Sequence, residues 1–233
     1  MTGTLYGLGI GPGDPELITL KAHAILRRVP VIAYPAPEHG ESLARRIVAT
    51  HLPGGQAEIA IRMPLDAARF PAREVYDQAA SEIGARLAAG DDVAALCEGD
   101  PFLYGSFAYL FARLADTHRV EVVPGVSSLT AAAAAAAQPL ALRSDVLTVI
   151  PAPLPDDDIA DRLQRTDGAV IMKLGRHLAR IRALLDRLGL LQRAHYVEHA
   201  TMAGQKVLSL NDAPEQAPYF SLILVAADGA PRR

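Results

Sequence analysis

The chain has a single cysteine, Cys97, in 233 residues. One thiol excludes an internal disulfide and any cysteine-rich metal site. Cys97 closes an apolar run and is expected as a small buried hydrophobe, not a nucleophile. An excess of either charge is also missing: 23 Lys and Arg face 26 Asp and Glu, a formal net charge of −3. That balance argues against broad nucleic-acid binding, while a local basic cleft remains open. No apolar run approaches the ~20 residues that a membrane-spanning helix needs. No basic-then-apolar segment precedes the first strand, so no signal peptide is expected and the expected compartment is cytoplasmic. Repeats and low-complexity linkers are absent, and disorder is expected only in the last few residues. What is plentiful is apolar: 50% of residues are hydrophobic and 21% charged. Such a chain can build a sizeable core, in one large domain or two of roughly 100–130 residues.

Two nucleotide signatures are lacking as well. Residues 4–10 read as an apolar strand that runs into Gly11-Pro12-Gly13-Asp14-Pro15-Glu16. Asp14 suits an N-cap, Pro15 the first helical position and Glu16 the first turn. The helix that follows is expected to set Leu17, Leu20 and Ala24 on one face. A glycine-rich strand-loop-helix invites the dinucleotide fingerprint, but its third glycine would fall on Pro12 counted from Gly7, or on Asp14 counted from Gly9. The second strand, 29–34, ends in Tyr34-Pro35-Ala36-Pro37, with no acid to hold a ribose. No Gly-Lys-Ser/Thr follows, which removes the phosphate loop too.

The rest of the chain alternates. A helix is expected over 41–50, a strand over 57–63, and a long helix over 72–89 with Tyr76, Ala80, Ile83 and Leu87 in register. Residues 93–96 read as a buried strand. It stops at Glu98-Gly99-Asp100-Pro101, where glycine permits unusual backbone geometry and proline has no N–H for a ladder. Phe107, Leu110, Phe111 and Leu114 then share a helical face. Strand 119–123 ends in Pro124-Gly125-Val126-Ser127-Ser128. This β-α alternation predicts a mainly parallel sheet with helices on its faces. Ser127 or Ser128 can cap the next helix, whose unbroken alanine over 131–137 predicts close packing on every face. The rhythm restarts with strand 146–150, a proline-rich turn, and Asp156-Asp157-Asp158 as a solvated helix start. Strand 169–173, a helix carrying Leu178, Ile181, Leu185 and Leu188, and strand 194–198 follow. Strands 206–210 and 219–225 lack a helix between them and are expected to pair antiparallel. The boundary is drawn near Pro124: a mainly parallel α/β domain over 1–123 and a mixed-sheet α/β domain over 124–233.

Five strand ends therefore carry distinctive loops: Gly11-Pro12-Gly13-Asp14, Glu98-Gly99-Asp100-Pro101, Gly125-Val126-Ser127-Ser128, Met172-Lys173 and Glu198-His199-Ala200-Thr201. In open α/β sheets, ligands bind beyond such carboxyl ends. The ordered set, from about residue 4 to 225, resembles the tetrapyrrole (corrin and porphyrin) methylases. The resemblance implies the α/β fold of that family, two α/β domains with S-adenosylmethionine in a cleft between them, and commonly a homodimer. It implies cofactor contacts from Pro12, from Glu98, Gly99, Asp100 and Leu103 largely through backbone, and from Ser127, Ser128, Met172 and Ala200. Many relatives carry glycine where Ala200 stands. The Cys97–Phe107 and Tyr196–Met202 stretches are similar to the members that methylate precorrin-2 at C20 in cobalamin synthesis, leaving S-adenosylhomocysteine. Relatives acting on cobalt-factor II usually show a Leu-Gly-Asp-Pro-Ser loop, which this chain lacks. An alternative of another class is a nicotinamide-dependent reductase, which the failed glycine spacing disfavours.

The implied chemistry is an in-line displacement at a sulfonium methyl. Asp100, Lys173 and Glu198 are the candidates for orienting the ring or taking the proton that leaves. A salt-bridge role fits each of them equally. A substrate with many carboxylate arms needs guanidinium or ammonium groups. Arg62, Arg113, Arg176 and Lys173 are candidates, with Arg45 and Arg46 behind them, and Tyr104 could cap the pocket.

Overall fold

The computed structural model describes residues 2–63 and 73–227. Ala72 of the expected long helix, and the last six residues, lie outside them. The chain divides into two compact units, Met1–Ser127 and Ser128–Arg233.

The first unit carries β1 (Thr4–Gly9), α1 (Leu20–Leu26), β2 (Val31–Pro37), α2 (Leu43–Ile47), β3 (Ala57–Met63), α3 (Arg73–Ala88), β4 (Val93–Cys97), α4 (Phe107–Leu114) and β5 (Arg119–Val123). All five strands are parallel, in the order β3-β2-β4-β1-β5. Alternation along the strands sorts the core onto two faces. Leu5, Val31, Ala33, Val93 and Ala95 pack against Tyr76, Ile83, Leu87, Phe107 and Leu110 of α3 and α4. Tyr6, Leu8, Ile32, Ala94 and Leu96 pack against Ala22, Ile25, Ala44 and Ile47 of α1 and α2. Each fully buried large side chain is worth about 1.5–3 kcal/mol against exposure. The long helix therefore forms on the face its period predicts.

Two expectations fail here. The first helix does not run through Leu17. Pro15–Leu17 is a separate 3-10 turn capped by Asp14, whose Oδ1 accepts the Glu16 N–H at 2.9 Å. Ile18 is extended, and Thr19 caps a fresh helix through its Oγ1. That second cap resets the register, so Leu20 is 89% exposed while Ala22, Ile25 and Leu26 face the core. The second strand also continues through both prolines. β2 pairs with β3 as far as Pro37 but with β4 only over Val31–Ala33, so beyond Ala33 it is bonded on one side alone. A proline is tolerated where one ladder is absent.

The second unit carries α5 (Ser128–Ala135), β6 (Leu147–Pro151), α6 (Asp156–Gln164), β7 (Gly168–Met172), α7 (Leu178–Arg187), β8 (Ala194–Glu198), β9 (Lys206–Ser209) and β10 (Ser221–Val225). The strand order is β6-β7-β10-β8-β9. The expected pairing of the last two strands does not form. β10 inserts antiparallel between β7 and β8, and β9 pairs with β8 instead. Burial explains the choice: every residue of β10 is buried, whereas β9 presents Lys206 and Ser209 to solvent and suits an edge. Nor is the alanine helix buried all round. Leu129, Ala132, Ala133 and Ala136 pack against Val170, Val197, Leu222 and Leu224, while Ala134 is exposed. Its end is a Schellman turn, with Gln138 N–H on Ala133 O, Ala137 N–H on Ala134 O, and Ala137 at φ +49°. The other sheet face is covered by Ile159, Leu163, Leu178, Ile181 and Leu185 of α6 and α7. Asp156 of the acidic helix start pairs with Arg180 and Arg187.

Candidate functional site

Parallel strands place all five carboxyl ends of the first unit on one edge. From β1 the chain crosses to β2 by way of α1 on one face; from β4 it crosses to β5 by way of α4 on the other. β1 and β4 are neighbours whose connections part to opposite faces, which opens a crevice between their ends. The loops after β1, β4 and β5 meet there.

They meet through backbone. Gly11 and Gly99 form an antiparallel bridge, with Gly99 N–H on Gly11 O at 2.8 Å, and both sit at positive φ, +80° and +68°. A Cβ on Gly125 would stand 2.1 Å from Gly99 O and 2.7 Å from Gly9 Cα; one on Gly9 would stand 2.4 Å from Gly125 N. Three loops approach this closely only because glycine leaves the space empty. Gly11 and Gly125 belong to the distinctive loops of the sequence, but neither they nor Gly9 are among the contacts that the resemblance implies. Their density at two strand ends was the available signal.

Asp100 holds the same junction. Its Oδ1 accepts the Phe102 N–H at 2.9 Å and its Oδ2 accepts the Gly125 N–H at 3.1 Å. Oδ2 thus joins the β4 loop to the β5 loop, while Oδ1 closes a turn within the β4 loop. Pro12 lies between Gly11 and the capped turn, and Pro15 O of that turn is 3.1 Å from His51 Nε2. Leu103 and Tyr104 are exposed, and Tyr104 sits at φ +56°. Burial pushes the Glu98 carboxyl above its usual range, against the pull of its own N–H and that of Ala44. Cys97 is buried and burial raises its thiol to about 11. Native protein at about pH 8 should therefore resist alkylation that unfolded chain accepts readily, a difference read directly by mass spectrometry.

In the second unit, β6, β7 and β8 share a direction, so the loops after β7 and β8 leave one edge. Met172 and Ala200 each pack against the buried cluster that holds Leu129 of α5, the residue after Ser128. Ser127 directly precedes that helix. Lys173, His199 and Thr201 take φ values of +59°, +50° and +69°. These are three of the six non-glycine residues at positive φ among those described, and a fourth, Tyr104, lies three residues beyond Pro101. Such strain persists where surrounding structure enforces it, and it gathers at functional sites.

Glu198 ends β8. It is a buried carboxylate that accepts from Tyr196 Oη at 2.6 Å and pairs with Lys206 Nζ at 2.6 Å. Burial works to raise its pKa, but the Lys206 and Tyr196 bonds prevail and hold it below the usual carboxylate range. It is a brace between β8 and β9, poorly suited to accept a proton. A depressed pKa stabilises the fold above the free-glutamate value of about 4.3, and the gain drains away as pH falls below it. Glu198→Gln should lower the urea midpoint at neutral pH and shrink its fall between about pH 5 and 3.

The basic candidates divide. Arg113 is committed to Asp77 at 2.7 Å and to Tyr109 O, clamping α4 to α3. Arg45 is committed to Glu58. Neither is free to grip a substrate. Arg62 is exposed and donates to Pro37 O at 3.1 Å; Arg46, Arg176 and Lys173 are exposed. Among the described residues, no group of three or more His, Cys, Asp or Glu could hold a metal ion, and no helix is long and apolar enough to cross a membrane.

This parallel sheet with a glycine-knit crevice, followed by a mixed sheet, is the architecture of a known class. A family profile described as Tetrapyrrole (Corrin/Porphyrin) Methylases matches residues 4–213, and the chain belongs to that family. Within it, the chain is 39% identical to the precorrin-2 C(20)-methyltransferase of a Sinorhizobium species, over 96% of this chain and 95% of that one. It is 38% identical to the cobalt-precorrin-2 C(20)-methyltransferase of Salmonella typhimurium, over 97% of each. It also matches the CobIJ cobalamin biosynthesis proteins of Mycobacterium at 42% identity, and there spans about half the relative's length, 46%. Among solved structures, the uroporphyrin-III C-methyl transferase of Thermus thermophilus, complexed with S-adenosyl homocysteine, superposes with a TM-score of 0.71. That match has 26% identity and covers 96% of this chain and 92% of that one.

Proposed function

We propose that this chain transfers the methyl group of S-adenosylmethionine to C20 of precorrin-2, giving precorrin-3A in cobalamin biosynthesis. The observation that carries the reading is the junction of Gly9, Gly11, Gly99 and Gly125, held by Asp100 at the parting of β1 and β4. Loops of this kind offer bare main-chain donors and acceptors to a ligand. The charge also suits a sulfonium donor: the acidic residues of the three loops are Asp14, Glu16, Glu98 and Asp100, with no lysine, arginine or histidine beside them. Pro12, Gly99, Asp100, Leu103 and Ser127 of the first unit, and Ser128, Met172 and Ala200 of the second, are the assigned cofactor residues, with Glu98 beside them.

When bound, the donor supplies an activated methyl group. The chain's own task is to hold that group in line with an electron-rich carbon, and such orientation can contribute about 7–11 kcal/mol. Both Asp100 oxygens and the Glu198 carboxylate are already engaged, so the reading relies on alignment more than on a strong base. Arg62, Arg176 and Lys173, all exposed, are the groups this reading assigns to the substrate carboxylates. A homodimer in the cytoplasm completes the reading. The Salmonella relative supports a second substrate, the cobalt-containing ring, while the Cys97–Phe102 residues support the metal-free one.

Calorimetric titration with S-adenosylmethionine, S-adenosylhomocysteine and NAD tests the cofactor. Heat with the first two and none with NAD is expected. The reverse would return the protein to the reductase class. Parallel assays with precorrin-2 and its cobalt form then decide the substrate.

A further inference from the structure

The Phe102 side chain plays no part in the site assembled so far, yet its placement is unusual. Among the described residues, eight large hydrophobic side chains are exposed, and three of them are consecutive: Phe102 at 54%, Leu103 at 39% and Tyr104 at 48%. An isolated exposed apolar residue needs no explanation; a contiguous group does. This one stands in the β4 loop, directly after the Asp100 clasp.

The Phe102 ring is also fixed. It meets Phe111 edge-to-face, with centroids 5.1 Å apart and planes at 86°, and lies 6.1 Å from Phe107. Phe107 is itself buried against Gly7, where a Cβ would stand 2.4 Å from the ring. The Phe102 N–H is tied to Asp100 Oδ1, and the other oxygen of that carboxylate holds Gly125. Side chain and backbone are both braced, while more than half of the residue stays open. A braced aromatic surface of this sort is prepared for a flat partner, since rings favour stacked or edge-on contact and lose little freedom when already anchored.

We propose that Phe102 is a substrate-contact residue: its exposed surface stacks on the flat face of the conjugated macrocycle, and the aromatic group Phe102-Phe107-Phe111 sets the affinity for that ring. The inference rests on the methylase reading above but concerns the ring, not the methyl donor. Leu103 and Tyr104 extend the same apolar surface. The carboxylate arms are left to the basic side chains, so affinity for the ring divides into a stacking part and an ionic part.

The test measures binding of precorrin-2 by its absorption change, with binding of S-adenosylhomocysteine by calorimetry on the same samples, for the wild type, Phe102→Ala, Phe102→Leu and Phe102→Tyr. The Ala and Leu variants should weaken ring binding at least tenfold and leave S-adenosylhomocysteine affinity within twofold. Phe102→Tyr should bind the ring as the wild type does. The Leu and Tyr pair keeps bulk on Phe111, so the comparison survives if the Ala variant unfolds. Unchanged ring binding in the Leu variant would overturn the proposal. So would a loss of S-adenosylhomocysteine affinity, which would assign the surface to the donor's adenine. A wild-type chain that binds the ring through Phe102 but transfers no methyl would overturn the proposed reaction and keep the stacking.

Discussion

Gly125→Ala should abolish S-adenosylmethionine binding and cost the fold several kcal/mol. The added methyl would stand 2.1 Å from Gly99 O and 2.7 Å from Gly9 Cα, both main-chain atoms. Neither can swing aside as a flexible side chain would. Overpacking of a tight site costs about 1–3 kcal/mol when neighbours can relax, and a backbone contact this short belongs at or beyond the upper end. The β5 loop must therefore move off the β4 loop, and the junction assigned to the cofactor opens. Binding should fall by more than a hundredfold. Gly84→Ala is the control. Gly84 lies within α3, where a Cβ would meet nothing nearer than His118 Nε2 at 3.4 Å. There the higher helix propensity of alanine should offset any crowding, with a change no larger than about 1 kcal/mol. Paired urea melts and titrations separate the two cases. Equal binding by both variants would remove the glycine junction from the site.

Asp100→Asn should weaken cofactor binding and rate together. An amide can accept from only one of the two N–H groups that the carboxylate holds, and its NH2 then faces the other as donor to donor. The loss of one hydrogen bond to a charged group, with a part-buried N–H left unsatisfied, costs about 1–3 kcal/mol. Affinity for S-adenosylmethionine should drop between ten- and a hundredfold as the β4 and β5 loops part. A catalytic base would behave differently: the rate would collapse with affinity intact, and the pH profile of kcat would lose its acid limb. The split between Kd and kcat is therefore the readout.

Much of the fold could be read from the chain. A period of 3.6 marks α3, α4 and α7, because a single face of each is buried, while most strands show as short apolar runs because both of their faces are covered. What escaped follows from choices made between distant segments. β10 takes the middle of its sheet, where all five of its residues are buried, and no local pattern says which strands it will separate. The Thr19 cap restarts α1 and turns Leu20 outward, a decision of one hydroxyl that periodicity overrides on paper. The β2 prolines survive because β4 pairs with only three residues there.

The site was legible in its loops but not in its contacts. Gly99 and Asp100 were singled out, yet their partners, Gly11 and Gly125, stand 88 and 25 residues away and are joined only by the sheet. Glu198 resembled a base in sequence; the β8–β9 register sets it directly opposite Lys206, and that pairing decides its charge. Arg113 resembled a carboxylate grip until α3 brought Asp77 beneath it.

The central claim is methyl transfer to one carbon of one macrocycle. The direct measurement incubates the protein with S-adenosylmethionine carrying a 13C-labelled methyl and with precorrin-2, then locates the label by NMR and mass spectrometry. The account predicts one added methyl, at C20, with S-adenosylhomocysteine formed in equal amount. A label on another carbon, or no transfer while both ligands bind, would contradict it.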